Sequence, residues 1–127
     1  MAEKQNNQAK TLHDLLDIAE KKDWKVDYEE IENSLTSYLE LQKYSPAGQD
    51  FHVELRLEPN AWTGKAGVAI EALHERIQCF DVSSEAYMWL DSDGHGKNGA
   101  PYDMKDVYDD MVACKDMMQE LLNEWED

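Results

Sequence analysis

The chain has 127 residues, a length typical of one domain, and its apolar content of 42% is enough for one hydrophobic core. Its 28 acidic residues against 12 Lys and Arg give a formal net charge of −16. This charge disfavours direct binding to nucleic acid or to an anionic membrane, because both need a basic protein surface.

The N-terminal residues 1–10 are polar and are predicted to be flexible. They contain no apolar stretch typical of a signal peptide, and no apolar run in the chain reaches the roughly 20 residues of a membrane-spanning helix. We therefore expect a cytoplasmic protein of bacterial type. The remaining residues, 11–127, are predicted to form a single domain that begins with a helix capped by Thr11. The apolar stripe of this helix contains Leu12, Leu15, Leu16 and Ala19.

The next segment fits either a strand or a helix. Trp24, Val26 and Tyr28 alternate with polar residues, which indicates a strand over 24–30. Tyr28, Ile31 and Leu35 are instead spaced as on a helix. We prefer the strand and leave the helix as the alternative.

A hairpin follows this segment. Apolar and polar residues alternate strictly from Phe51 to Glu58, which is typical of a strand with one buried face. The preceding link, SPAGQD, contains Pro46 and Gly48, two residues favoured in turns. The pattern predicts a hairpin joining a strand over about 35–45 to one over 51–58.

Helices are predicted for the rest of the chain. The period changes to 3.6 after Pro59, which predicts a helix over 64–79 that Thr63 can cap. The stretch DVSSEAYMWL indicates a shorter helix, capped by Asp81 or Ser83, with Tyr87 and Leu90 facing inward. Both cysteines, Cys79 and Cys114, lie in apolar helical patterns and are predicted to be buried free thiols.

The last helix begins after Pro101 and has apolar residues in steps of three and four. We expect this stripe to face the core; a homodimer through the C-terminal helix is the alternative. Its members are Met104, Val107, Met111, Cys114, Met118, Leu121 and Trp125. The order of elements predicts an α+β fold, a small antiparallel sheet of two to three strands with three to four helices packed on one face.

The glycine-rich loop WLDSDGHGKNGAPYDMKD, residues 89–106, partly matches the sequence motifs of metal-binding and phosphate-binding loops. Counted from Asp91, it begins like an EF-hand loop but has Tyr102 where a bidentate Glu is required. It also lacks the Ser or Thr that follows the Lys of a phosphate-binding loop. We expect a structural connector, with a weak Ca²⁺ or Mg²⁺ site at Asp91, Asp93 and Asp103 as the alternative.

A polar cluster is the second candidate site. Gln49, Asp50 and His52 lie at the hairpin turn, and Asp93 and His95 lie in the glycine-rich loop. If loops 45–52 and 91–103 face each other, the chain would be a small hydrolase or a divalent-metal-binding protein. Because no zinc or nucleophile motif is present, we expect no cofactor and no catalytic residue.

The acidic residues are concentrated in two segments. Residues 103–127 contain nine acidic residues and two lysines, a net charge of −7. Residues 23–40 contain six acidic residues and one lysine, a net charge of −5. The preferred hypothesis is a non-catalytic protein whose acidic surface binds a basic partner, such as a nucleic-acid-binding protein. The residues expected to form this surface are Asp106, Asp109, Asp110, Asp116, Glu120, Glu29, Glu30 and Glu32.

A more specific form of this hypothesis is a DNA mimic of the antirestriction type, because carboxylates spaced along helices can imitate phosphate tracks. The motifs YSPAGQDF (44–51) and GHGKNGAPYDMKD (94–106) resemble those of small acidic proteins of unknown function from gut bacteria. They are similar to accessory proteins encoded near conjugative and other mobile elements. The resemblance implies a role in mobile-element biology and carries over no catalytic residue.

Overall fold

The computed structural model describes residues 10–88 and 103–127. It has a three-stranded antiparallel sheet and four helices, so the predicted α+β class is confirmed. The elements in chain order are α1 (Leu12–Lys21), β1 (Lys25–Glu30), β2 (Ser37–Tyr44), β3 (Asp50–Leu57), α2 (Lys65–Gln78), α3 (Val82–Met88) and α4 (Met104–Glu126).

The sheet has the strand order β1-β2-β3, with β2 in the centre. Side chains alternate between its two faces, so one set is buried and the other meets solvent. The buried set on β2 and β3 belongs to the single hydrophobic core: Leu39, Leu41, Phe51, Val53, Leu55 and Leu57. The opposite face, which we call the outer sheet face, carries the side chains of Lys25, Asp27, Glu29, Tyr38, Glu40, Gln42, Tyr44, Asp50, His52, Glu54 and Arg56.

Residues 24–36 contain the predicted strand and not the alternative helix. Strand β1 pairs with β2 from Lys25 opposite Gln42 to Glu30 opposite Ser37. The helical spacing of Ile31 and Leu35 arises in a tight turn, where the Ile31 amide donates to the Thr36 carbonyl at 3.3 Å. The predicted β2–β3 hairpin is also confirmed.

Side chains cap the N-terminal ends of some helices. Thr11 caps α1 as predicted, and Asp14 completes a reciprocal capping box with it. The Asp81 carboxylate accepts the Ser83 amide at 3.0 Å ahead of α3. The prediction of Thr63 as the cap of α2 is wrong, because Gly64 occupies the N-cap position without a side-chain hydrogen bond.

The apolar stripe of α4 faces the core, as predicted. Its residues from Val107 to Trp125 are buried among α1, α2 and α3. The Trp125 indole donates to the Leu15 carbonyl at 2.9 Å, and the Lys10 ammonium donates to the carbonyls of Glu124 and Trp125. Because the stripe is covered within the chain, a homodimer through the C-terminal helix would have to use the solvent-exposed side of α4.

Two orientations differ from the predictions. Tyr87 is 68% exposed, because α3 turns Ala86 to the core instead. Cys79 is exposed because it lies just after α2, beyond the last buried residue of that helix, Ile77. Cys114 is buried as expected, and burial raises the pKa of its thiol to about 12. Within ranges 10–88 and 103–127, no helix is both long and apolar enough to cross a membrane.

Candidate functional site

Four exposed carboxylates form a line on the solvent side of α4: Asp106, Asp109, Asp116 and Glu120. We call this line the α4 ridge. Successive members are three, seven and four residues apart, so helical geometry places them on one side of the helix. With a rise of about 1.5 Å per residue, the ridge is about 21 Å long.

Most of the α4 ridge lacks positive partners. The Lys105 ammonium lies 2.8 Å from the Asp109 carboxylate. Asp106, Asp116 and Glu120 have no ion-pair partner in the part of the chain that the structure describes. The helix dipole favours Asp106, which lies in the first turn, but it does not extend to Asp116 and Glu120. Asp116 and Glu120 therefore present negative charge that no ion pair within residues 10–88 and 103–127 compensates.

Asp110 does not belong to this exposed ridge, contrary to its predicted place on an exposed acidic surface. Its side chain is only 5% exposed. One carboxylate oxygen accepts the Ser45 hydroxyl at 2.5 Å, and the other accepts the Ala47 amide at 3.1 Å. Asp110 thus ties the β2–β3 turn to α4.

The predicted acidic residues of β1 lie apart from the α4 ridge. Glu29 is exposed on the outer sheet face, which is the face opposite the helices. Glu30 is bound by the Lys65 ammonium and by the Tyr28 hydroxyl, and the hydrogen bond from Lys65 lowers the pKa of Glu30. Glu32 is exposed in the turn after β1. These three residues therefore do not extend the ridge.

His52 forms an ion-paired cluster on the outer sheet face. Its Nδ1 lies 2.9 Å from the Glu40 carboxylate, and its Nε2 lies 3.0 Å from that of Asp50. The Gln42 amide also donates to Asp50 at 2.6 Å. Partial burial lowers the pKa of His52, but the hydrogen bonds to Asp50 and Glu40 outweigh burial and raise the pKa overall. The pKa of Asp50 is lowered, because the bonds from Gln42 and His52 outweigh its own desolvation.

The sequence predicts that Gln49 lies in one polar cluster with Asp50 and His52. The structure separates Gln49 from the other two residues. Gln49 is 3% exposed and therefore lies inside the fold, while its two neighbours in that cluster lie on the outer sheet face. Its side-chain amide has no hydrogen-bond partner within the described ranges. Its backbone closes the turn, since the Gln49 amide donates to the Ser45 hydroxyl at 2.9 Å.

Most of the predicted metal and loop site lies outside the described residues, namely Asp91, Asp93 and His95. Asp103 is described, and its carboxylate accepts the Asp106 amide at 2.9 Å as the N-cap of α4. Among residues 10–88 and 103–127, no group of three or more His, Cys, Asp or Glu side chains is arranged to hold a metal ion.

The hairpin residues do not form a catalytic arrangement. The Ser45 hydroxyl donates to the buried carboxylate of Asp110, and no histidine of the described ranges is hydrogen-bonded to it. Both ring nitrogens of His52 are bound to carboxylates, which leaves neither one directed at a substrate. The contacts of loop 45–52, the part of the proposed enzyme site that the structure describes, therefore indicate that Ser45 and His52 stabilise the hairpin.

No protein-family model, no curated protein and no solved structure matches this chain.

Proposed function

We propose that this chain is a non-catalytic interaction protein whose α4 ridge binds a basic surface on a partner protein. The observation that carries the proposal is the line of Asp106, Asp116 and Glu120, which are exposed and have no ion-pair partner among the described residues. Arg or Lys side chains of a partner would supply the missing positive charge. A cytoplasmic location is part of this proposal.

The rigidity of α4 supports this use of the ridge. Its opposite side is buried from Val107 to Trp125, and Lys10 and Leu15 hold its C-terminal end. Asp110 fixes its N-terminal half to the β2–β3 turn. A partner would therefore bind carboxylates at fixed spacing, and the helix would lose little conformational entropy on binding.

DNA mimicry is a narrower proposal, and charge density limits it. Four carboxylates spread over about 21 Å have a mean spacing of about 7 Å, whereas the phosphates of one strand of B-DNA recur about every 3.4 Å of axis. Glu29 and Glu30 are not counted as a second track, because Glu29 lies on the outer sheet face and Glu30 is already paired with Lys65. A short basic segment fits the ridge better than a surface shaped for both DNA strands.

The proposal is tested with two variants of equal net charge. The ridge variant is Asp106→Asn, Asp116→Asn and Glu120→Gln. The sheet variant is Asp27→Asn, Glu29→Gln and Glu54→Gln, three exposed carboxylates of the outer sheet face. Each variant loses three negative charges, so a difference between them reports location and not net charge.

The measurement is capture of proteins from lysate of the source cells at low salt, with the same capture at high salt as control. We expect a basic protein that the wild-type chain and the sheet variant retain, and that high salt or the ridge variant releases. Equal retention by the ridge variant, or retention that salt does not affect, would reject the ridge as the binding surface. Competition by double-stranded DNA for the captured protein would favour mimicry, and failure to compete would exclude it.

A further inference from the structure

Three large apolar side chains are exposed at one end of the sheet. Trp62 is 93% exposed, Leu35 is 72% exposed and Ile31 is 39% exposed. We call these three residues the Trp62 patch. Tryptophan is among the residues that most often dominate the binding energy of protein interfaces, and clustered exposed apolar groups are more informative than isolated ones.

The strand register places the two loops that carry the patch at the same end of the sheet. Ile31 and Leu35 lie in the β1–β2 turn, and Trp62 lies between β3 and α2. Ser37, the first residue of β2, pairs with both Glu30 and Leu57. The turn after Glu30 and the loop after Leu57 therefore leave the sheet side by side.

The side chain at the start of α2 reaches β1. Lys65, the first residue of α2, donates to the Tyr28 hydroxyl at 3.0 Å and pairs with Glu30, both on β1. The loop that contains Trp62 leaves β3 at the end of the sheet where the β1–β2 turn lies, and Trp62 is three residues before Lys65 in that loop.

Both loops are held by local hydrogen bonds. The Asn60 side-chain oxygen accepts the amides of Trp62 and Thr63 at 2.7 and 2.9 Å. In the other loop, the Ser34 amide donates to the Ile31 carbonyl at 3.2 Å. Because their backbones are already ordered, the exposed apolar side chains lose less entropy on binding than those of a flexible segment would.

The charges around the patch select the kind of partner. Lys65 is paired with Glu30 and Arg56 with Glu58, which leaves the exposed Glu29 and Glu32 beside the turn. A second copy of the chain would bring the same acidic surroundings and a further net charge of −16, so self-association is disfavoured.

We propose that the Trp62 patch binds a partner segment in which Lys or Arg flanks aliphatic or aromatic side chains. The apolar side chains would cover Trp62 and Leu35, while the cations would meet Glu29 and Glu32. This inference does not depend on the α4 ridge, since it uses different residues and a different kind of contact.

The test uses a synthetic 12-residue peptide of alternating Lys and Leu, and a peptide of Lys and Ser with the same charge. Nuclear magnetic resonance of the ¹⁵N-labelled full chain follows the Trp62 indole and the Leu35 amide during titration. We expect both signals to shift with the Lys/Leu peptide and not with the Lys/Ser peptide. Trp62→Ser should weaken binding of the Lys/Leu peptide about tenfold, whereas Tyr87→Ser, at a similarly exposed aromatic residue of α3, should change it less than about twofold.

Equal affinity of wild type and Trp62→Ser for the Lys/Leu peptide would overturn the inference, as would equal responses to the two peptides. Sedimentation of the chain alone is the second measurement. A dimer that Trp62→Ser abolishes would assign the patch to a second copy and overturn the proposed partner. The ridge variant should retain the Trp62 and Leu35 shifts, so failure of the α4 ridge and failure of the Trp62 patch are distinguishable.

Discussion

The α4 ridge and the outer sheet face are both rich in acidic residues, but their carboxylates have different partners. On the outer sheet face, Asp50 and Glu40 contact His52. On the ridge, Asp116 and Glu120 have no ion-pair partner in the described ranges. Local charge density alone therefore does not identify a binding surface, because ion pairs within the fold already neutralise part of the acidic charge.

The same comparison predicts opposite contributions to stability. Asp116, Glu120 and Glu124 follow one another at four-residue intervals, and like charges at this spacing destabilise a helix by about 0.2–0.5 kcal/mol per pair. Opposite charges on the sheet stabilise the fold by about 0–1 kcal/mol per exposed pair. Unfolding measurements on variants of the ridge and of the outer sheet face should therefore give changes of opposite sign.

The largest expected effect separates the adjacent residues Asp109 and Asp110. Asp110→Ala removes the buried carboxylate that accepts the Ser45 hydroxyl and the Ala47 amide, and should lower the free energy of unfolding by about 2–4 kcal/mol. Asp109→Ala removes only an exposed pair with Lys105 and should change it by less than about 0.5 kcal/mol. Urea unfolding measures both; similar values for the two variants would contradict the structural role of Asp110.

An effect of intermediate size is expected for the pH dependence of the stability that the His52 cluster contributes. The raised pKa of His52 means that its stabilisation is complete below its ordinary pKa of 6.5 and is lost as the pH rises through the higher folded-state pKa. The lowered pKa of Asp50 means that its contribution is lost as the pH falls below about 3.8. The cluster should therefore stabilise the fold most at about pH 5–6.

Wild type and His52→Gln should consequently differ more in unfolding free energy at pH 5.5 than at pH 8.5. Solvent screening limits this change to less than about 1 kcal/mol, because His52 and its partners are about half exposed. Thermal or urea unfolding at the two pH values measures it, with 0.5 M salt as the control that should reduce it. A larger difference at pH 8.5 would show that the charged imidazole is not stabilising.

The smallest expected effect concerns repulsion on the ridge. Asp116→Asn with Glu120→Gln should raise the free energy of unfolding by about 0.3–0.8 kcal/mol at low salt. Glu40→Gln with Asp50→Asn, which removes the same charge from the sheet, should lower it, because His52 loses both partners. Destabilisation by the ridge pair would mean that its carboxylates have stabilising contacts.

Local patterns in the sequence predicted the elements because each pattern reports burial directly. The alternation from Phe51 to Leu57 corresponds to the buried face of β3, and the stripe of α4 corresponds to the core. The position of Asp110 was also encoded, since it lies three residues after Val107 and four before Cys114 on the same side of the helix. Composition alone groups Asp110 with the neighbouring acidic residues of the helix.

Other features depend on tertiary contacts that no local pattern contains. The cluster of His52 with Glu40 requires the register of β2 and β3, which places His52 opposite Gln42. Burial of Gln49 requires the β2–β3 turn to dock on α4. The placement of the loops that carry Leu35 and Trp62 at the same end of the sheet requires the register of all three strands. These residues are separated in sequence, so spacing alone could not connect them.

The most direct test of the central claim is the salt dependence of the affinity between this chain and its captured basic partner. Titrations of wild type, the ridge variant and the sheet variant at several salt concentrations compare location at equal net charge. We predict a steep loss of affinity with salt for wild type and the sheet variant, and a weaker, clearly shallower dependence for the ridge variant. Identical salt dependence of the two variants would contradict the claim that the α4 ridge binds the partner.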